Sequence, residues 1–283
     1  MTAVQDEQDE YVAGIAQPRQ LIVSLYGLYA REHDGWLSVA SVVRLLADLG
    51  VEAQAVRSSI SRLKRRNLLV AQKIDGAAGY RLSDEAASIL DEGDIRIFGR
   101  HRATVKDGWV LVVFSVPESE REKRHLLRTE LTRMGFGIVT PGLWIAPGHL
   151  EDAAVRVLRR LGLVDNAVIF AADHRGFEDL TAAVATWWDL DALQDLYGEF
   201  LDRNSPIRDG WTAYPGRPEP RKAFRDYLTI LTEWRRLPYA DPGLPAELLP
   251  PDWRAQDASE LFTWVRRKLA GPAASYARSV IGR

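Results

Sequence analysis

Apolar positions recur at helical spacing three times between Pro18 and about residue 68, and then give way to alternation. "PRQLIVSLYGLYARE" carries the first period and opens on Pro18, whose fixed φ suits a first helical turn. Gly35 interrupts it. "LSVASVVRLLADLG" carries the second, with Ser38 as a cap, Val39, Val42, Val43, Leu46 and Leu49 on one face, and Gly50 as the stop. The third, "AVRSSISRLKRRNLL", sets Val56, Ile60 and Leu63 on one side and Gln54, Arg57, Ser58, Ser61 and Arg65 opposite. Leu68 to Ile74 then reads as extended, Asp75-Gly76 and Gly79 as turn signals, and Tyr80 to Leu82 as a return strand. Three helices and a hairpin in this order predict a winged helix-turn-helix. "SDEAASILDEGDIRIFGRH" predicts a linking helix that closes a block at 17–99.

The periods change in the next block, 100–178. "GWVLVVFSVP" is a strand, and "ESEREKRHLLRTELTRMG" is an amphipathic helix ending at Gly135. "FGIVTPG" and "LWIAPG" are strands joined through Pro141-Gly142, "HLEDAAVRVLRRLG" is a helix and "DNAVIFAADH" a last strand. The order β-α-β-β-α-β predicts a ferredoxin-like domain with one sheet face open or paired with a partner. The third block, 179–283, is predicted mostly helical. "TAAVATWWDLDALQDLYGEFLDRN" reads as helical, "RKAFRDYLTILTEWRRLPY" as a helix stopping before Pro238, and "DASELFTWVRRKLA" as a last long helix. The proline-rich "DPGLPAELLPPDW" between them must be a structured loop. Trp187 and Trp264 are expected in the core. The fold class is therefore α+β in three blocks, preceded at 1–16 by a polar, acidic tail expected to be disordered.

Composition sharpens one feature. The chain has 37 basic against 39 acidic residues, so it offers no global attraction for nucleic acid. Yet Arg57, Arg62, Lys64, Arg65 and Arg66 fall within ten positions, with no acid among them. A solvated, solubilising face usually carries acids three or four residues away. In the major groove a recognition helix reads bases from its N-terminal part. Gln54, Arg57, Ser58 and Ser61 occupy that part and are the candidate base readers, arginine for guanine and glutamine for adenine. Arg62, Lys64, Arg65 and the hairpin cations Lys73 and Arg81 are the candidate phosphate contacts. The competing reading is a merely solvated helix on an interaction scaffold.

Other chemistry is thinly represented. The chain has no cysteine, which removes disulfides, thiolate metal sites and cysteine nucleophiles. His33, His101, His125, His149 and His174 are scattered, without an HExxH spacing. Neither a GxSxG nor a glycine-rich phosphate loop is present. No cofactor is expected and no catalytic residue is nominated. The absence of a signal-like start or membrane-length apolar run points to the cytoplasm. In the loop read at "DGWTAYPGRPEPRK", Trp211 and Tyr214 stand near Arg221, Lys222 and Arg225, an aromatic wall beside cations suited to phosphates. Arg235 and Arg236 of "EWRR" are further candidates for the same effector site.

Longer stretches carry a resemblance. "GVEAQAVRSSISRLKRRNLL" through "GYRLSDEA" looks like the N-terminal domain of the PaaX family, regulators named for the repressor of phenylacetic acid degradation. "WVLVVFSVPESEREKRHLLRTELTRMGFGIVTPGLWIAP" resembles the family's central region, and "WWDLDALQDLYGEFL" and "RRLPYADPGLPAELLPPDW" its C-terminal domain. The resemblance implies a homodimeric transcriptional repressor that binds double-stranded operator DNA and is released by a small-molecule effector. It implies an aryl-coenzyme A thioester, such as phenylacetyl-coenzyme A, as that effector. The central block also resembles the small CRISPR-associated ribonuclease fold, which places an aspartate at the end of its first strand to hold a metal. This chain has Ser115 there, so a hard divalent cation lacks its ligand and a dimerisation platform is expected rather than a metal-dependent nuclease.

Overall fold

The computed structural model describes residues 17–99, 102–177 and 179–282; the expected acidic tail and His101 lie outside them. Helix α1 (Pro18–Leu25) starts at Gln17, whose backbone N–H is closed by the Gln20 side chain at 3.3 Å, and widens into a π turn at Tyr26–Ala30. A short strand, β1 (Trp36–Ser38), follows, which hydrophobic spacing did not predict. The Ser38 hydroxyl then accepts from the Ser41 N–H at 3.0 Å and so caps α2 (Val39–Ala47). The buried positions of α2 are Ser41, Val42, Leu45 and Leu46, one step round from the expected stripe.

Helix α3 (Ala53–Arg65) ends where Asn67 turns left-handed (φ 56°) and the Leu68 N–H donates to Leu63 O at 3.0 Å. That closure redirects the chain into β2 (Leu69–Ile74) and β3 (Ala77–Leu82). The hairpin turn is Asp75-Gly76, both with positive φ (49° and 83°), as a two-residue turn with the right twist demands. Gly79 lies within β3 rather than in the turn. It pairs with Ser38, so β1, β3 and β2 form one antiparallel sheet. Helix α4 (Asp84–Phe98) follows with two acids in its first turn.

Strand β4 (Trp109–Phe114), helix α5 (Arg121–Arg133), strands β5 (Gly137–Thr140) and β6 (Leu143–Pro147), helix α6 (Glu151–Leu161) and strand β7 (Ala167–Ala172) complete the expected β-α-β-β-α-β order. The stretch from Thr181 is not one helix. It breaks at Trp188, whose backbone is extended, into α7 (Leu180–Trp187) and α8 (Leu190–Thr212). Helix α8 runs through Pro206 and takes in Trp211, which the sequence placed in a loop. Then come α9 (Pro220–Trp234), the single turn α10 (Leu237–Ala240) and α11 (Ala255–Ile281), which carries Pro272 internally.

The chain forms two compact units. One takes the described chain through Ile95, Phe200–Arg235 and the segment from Gln256; the other takes Arg96–Glu199 and Arg236–Ala255. The helical third is thus shared out. In the first unit α1 packs on α2, α3 and α9. Leu21, Ile22, Leu25, Leu37, Val42 and Leu45 are buried there, and Thr232 of α9 donates to Ser24 of α1 at 2.8 Å. Trp234 stacks on Phe262 of α11 with centroids 4.7 Å apart.

In the second unit the antiparallel sheet runs β5-β6-β4-β7. Period-two alternation sends Val110, Val112 and Phe114 into a core with Leu127 and Leu131 of α5 and Val157 and Leu158 of α6. Each such side chain contributes roughly 1.5–3 kcal/mol on burial. On the other face Trp109 and Ile145 pack with Val184, Trp188 and Leu244, so the chain covers part of that face itself. Val113 of β4 and Val168 and Phe170 of the edge strand β7 remain exposed. Trp188, Trp211 and Trp234 are buried, whereas Trp187 and Trp264, the tryptophans expected in the core, are only half-buried.

Candidate nucleic-acid interface

Helix α3 has two chemically opposite sides. Val56, Ile60 and Leu63 are 0%, 2% and 2% exposed, anchored against α1 and α2. Gln54, Arg57, Ser58, Ser61, Arg62, Lys64 and Arg65 are all exposed. At a rise of 1.5 Å per residue the helix spans about 20 Å, enough to lie along a groove. Gln54, Arg57, Ser58 and Ser61 follow i, i+3, i+4, i+7 spacing and form one stripe over its first two-thirds. Arg62, Lys64 and Arg65 occupy the last turn, where cations also meet the negative end of the helix dipole.

Among the described residues no acid lies in ion-pair range of Arg57, Arg62, Lys64 or Arg65. The charge of this face is therefore not neutralised internally. Lys73 extends it onto β2, exposed two residues before the hairpin turn. Arg81 is different: it is half-buried and paired with Asp84, Nη1 to Oδ1 3.3 Å. An exposed pair of this kind is worth little and opens readily.

The hairpin is held from behind by Trp36. Its Nε1 donates to Gln72 O at 3.1 Å, and its ring fills the space where a Cβ on Gly79 would lie, 2.4 Å from Cε2 and Cζ2. Tyr26 adds a second brace, donating its hydroxyl to Tyr80 O at 3.1 Å. Burial, and then the nearby Tyr80, push the Tyr26 phenol well above its ordinary pKa. Trp36 carries no strand signal in the sequence, because three residues are too few to establish a strand period. The signal available was an aromatic two residues before a helix cap.

The proposed effector residues do not form one cluster. Trp211 is buried, donates from Nε1 to Asp226 Oδ2 at 2.8 Å, and lies under the Lys222 ammonium, 4.0 Å from its ring centroid. Tyr214 packs edge-on to Trp211 and is exposed; Lys222 and Arg225 both pair with Asp226, at 3.6 and 3.5 Å. These four come together. Arg221 turns instead to Asp48. Arg235 lies just past the other end of α9, about 20 Å along its axis from Lys222, and Arg236 belongs to the second unit; both are half-buried and engaged with other groups. Ser115 sits exposed after β4, its N–H donating to Asn166 O at 3.0 Å. No three acids or histidines converge as potential metal ligands among the described residues.

Fold and site define a multi-module α+β protein that presents an unneutralised cationic helix beside a β-hairpin, on a chain carrying a β-α-β-β-α-β sheet domain. The chain belongs to the PaaX family. Residues 17–86 match the model described as PaaX-like protein, 102–184 the PaaX protein central Cas2-like domain, and 188–279 the PaaX-like protein C-terminal domain. Over 262 residues the chain is 26% identical to the transcriptional repressor PaaX of Escherichia coli K12, covering 90% of this chain and 81% of that protein. Among solved structures, an uncharacterized protein of Mycobacterium tuberculosis shares the fold. Its TM-score is 0.58 at 20% identity, over 94% of this chain and 99% of that one. No helix among the described residues is long and apolar enough to cross a membrane.

Proposed function

We propose that the chain is a sequence-specific transcriptional repressor that binds double-stranded operator DNA through a winged helix-turn-helix, with α3 as the recognition helix. One observation carries this reading: α3 buries Val56, Ile60 and Leu63 while exposing Arg57, Arg62, Lys64 and Arg65 without acidic partners. In this reading Gln54, Arg57, Ser58 and Ser61 face base edges, and Arg62, Lys64, Arg65, Lys73 and Arg81 face phosphates. The similarity to the Escherichia coli repressor supports the regulatory role and a cytoplasmic site of action.

The repressor acts as a homodimer, so that two α3 helices meet successive major grooves of a near-palindromic site. The edge strand β7 of the Cas2-like sheet, with Val168 and Phe170 exposed beside Val113 of β4, supports that assembly, since an open apolar edge strand invites a partner. An effector of the aryl-coenzyme A thioester class releases the DNA. The Trp211, Tyr214, Lys222 and Arg225 cluster supports such a ligand, offering an aromatic wall and cations. The effector works by binding one dimer geometry better than the other.

A mobility-shift titration on the DNA upstream of the chain's own gene tests the reading. Tight, sequence-selective binding that weakens steeply with salt is expected. Equal affinity for unrelated duplexes, or none at low salt, rejects it. Magnesium-dependent cleavage of the probe would instead support a nuclease.

A further inference from the structure

Asp48 caps the C-terminal end of α2, two residues before Gly50 and five before α3 begins. A carboxylate there faces the negative end of the helix dipole, which disfavours it. Its side chain is also only 7% exposed, and burying a carboxylate is costly unless both oxygens are satisfied. Both are. Arg221, in the first turn of α9, donates from Nε to Oδ1 at 2.8 Å and approaches it with Nη2. Tyr276 of α11 donates its hydroxyl to Oδ2 at 2.5 Å. The hydrogen bond to Asp48 raises the pKa of Arg221; burial, and then the same carboxylate, raise that of Tyr276.

The partners lie 173 and 228 positions away in sequence, yet all three belong to one compact unit. What they grip is the turn between α2 and α3, where Gly50 is left-handed and Val51 N–H donates to Leu46 O at 3.1 Å. Nothing in the geometry of a helix-turn-helix requires this carboxylate. We propose that Asp48, Arg221 and Tyr276 are positioning residues for DNA recognition: α9 and α11 hold the turn that aims α3, and none of the three touches DNA. The C-terminal helices are then a working part of the DNA-binding unit. This rests on the repressor reading above.

The test uses the full chain with Asp48→Asn, Arg221→Gln and Tyr276→Phe, beside Arg62→Ala as a phosphate-contact control. Affinity for the upstream duplex is measured over a salt series, and amide hydrogen exchange is followed across residues 46–56. Each positioning variant should weaken binding roughly 3- to 30-fold, with the salt slope unchanged and exchange at 46–56 faster. Asp48→Asn is the sharpest arm. It removes a negative charge, so a purely electrostatic role predicts tighter binding, and that result overturns the proposal. So does a slope lowered by about 0.9 in Arg221→Gln, the mark of a lost phosphate contact, or unchanged exchange at 46–56 in all three. Arg221→Lys, which keeps the charge, should recover part of the loss. If the unaltered chain binds no duplex, the repressor reading fails, and the exchange arm alone decides whether the C-terminal helices hold the turn.

Discussion

The ring of Trp36 stands 2.4 Å from where a Cβ on Gly79 would lie, and the Leu37 carbonyl oxygen stands 2.5 Å from the same point, so β1 leaves no room for a side chain there. Replacing Gly79 with alanine adds one methyl group where the ring already stands. Moving Trp36 aside costs its bond to Gln72 and still leaves the Leu37 carbonyl oxygen in the way, so β3 must shift as well. Overpacking of this kind costs about 1–3 kcal/mol. Gly79→Ala should therefore lower the unfolding midpoint in urea. The paired change Gly79→Ala with Trp36→Leu should recover little of the loss, because the Leu37 carbonyl oxygen still stands 2.5 Å from the new methyl group.

The two sides of α3 should separate stability from binding. Ile60→Ala removes a core side chain beside Val56 and Leu63 and should cost about 2–5 kcal/mol of stability. Arg65→Ala removes an exposed cation with no ion-pair partner among the described residues, so stability should move by less than about 0.5 kcal/mol. Urea unfolding measures both. The binding order should reverse: Arg65→Ala should lower the salt slope for DNA by about 0.9.

Within α3, Arg57 should behave differently from Arg65. It lies on the N-terminal stripe with Gln54, Ser58 and Ser61. Arg57→Ala should cost about 1–3 kcal/mol on the preferred duplex and much less on others, flattening selectivity. Competition titrations against single base-pair variants measure this. Equal losses on every duplex would reassign Arg57 to the phosphates.

The stripe on α3 was legible because helix period and charge are both local properties, and Val56, Ile60 and Leu63 pack as their spacing requires. The β-α-β-β-α-β order was legible for the same reason. The C-terminal region was harder. Trp188 interrupts a helical pattern without glycine or proline, because its indole is used in the sheet core and its Nε1 donates to Gly135 O at 2.8 Å. Helix α8 passes through Pro206, a residue that reads as a stop. Long-range ties were invisible: nothing around Asp48 announces that its partners are Arg221 and Tyr276. The aromatic and cationic residues of "DGWTAYPGRPEPRK" were seen together, but their distribution between Asp226 and Asp48 follows from tertiary packing.

Alkaline pH should weaken the first unit through its buried phenols. Burial, offset in part by Arg266, pushes Tyr227 up to about 12, and burial raises Tyr26 and Tyr29 as well. A phenol whose pKa is higher folded than unfolded binds its proton more tightly in the native state. Stability is then fully retained below about pH 10, the unfolded value, and falls as pH rises from there towards 12. The slope approaches about 1.4 kcal/mol per pH unit for each such group. Tyr227→Phe should shallow that decline while leaving the urea midpoint at pH 8 much less affected. An equally steep fall in the variant would show that Tyr227 contributes nothing to it.

Arg96 does in the second unit what no lysine can. Its Nε donates to Pro238 O and its Nη2 to Met134 O, both at 2.7 Å, and its guanidinium lies 5.0 Å from the Tyr239 ring centroid. Burial lowers its pKa, opposed by Tyr239 and Asp241. The planar fork spans the end of α5 and the turn α10 at once, so a single-point ammonium satisfies one carbonyl and leaves the other dry. An unsatisfied buried acceptor costs about 1–3 kcal/mol. Arg96→Lys should therefore destabilise the second unit by about that amount, and Arg96→Met by more, since both carbonyls lose their donor. Hydrogen exchange resolves the location: faster exchange in α5 and around Pro238, with α1 to α3 unchanged, is the expected pattern. Exchange that rises evenly across the chain would mean that Arg96 is not a local clamp.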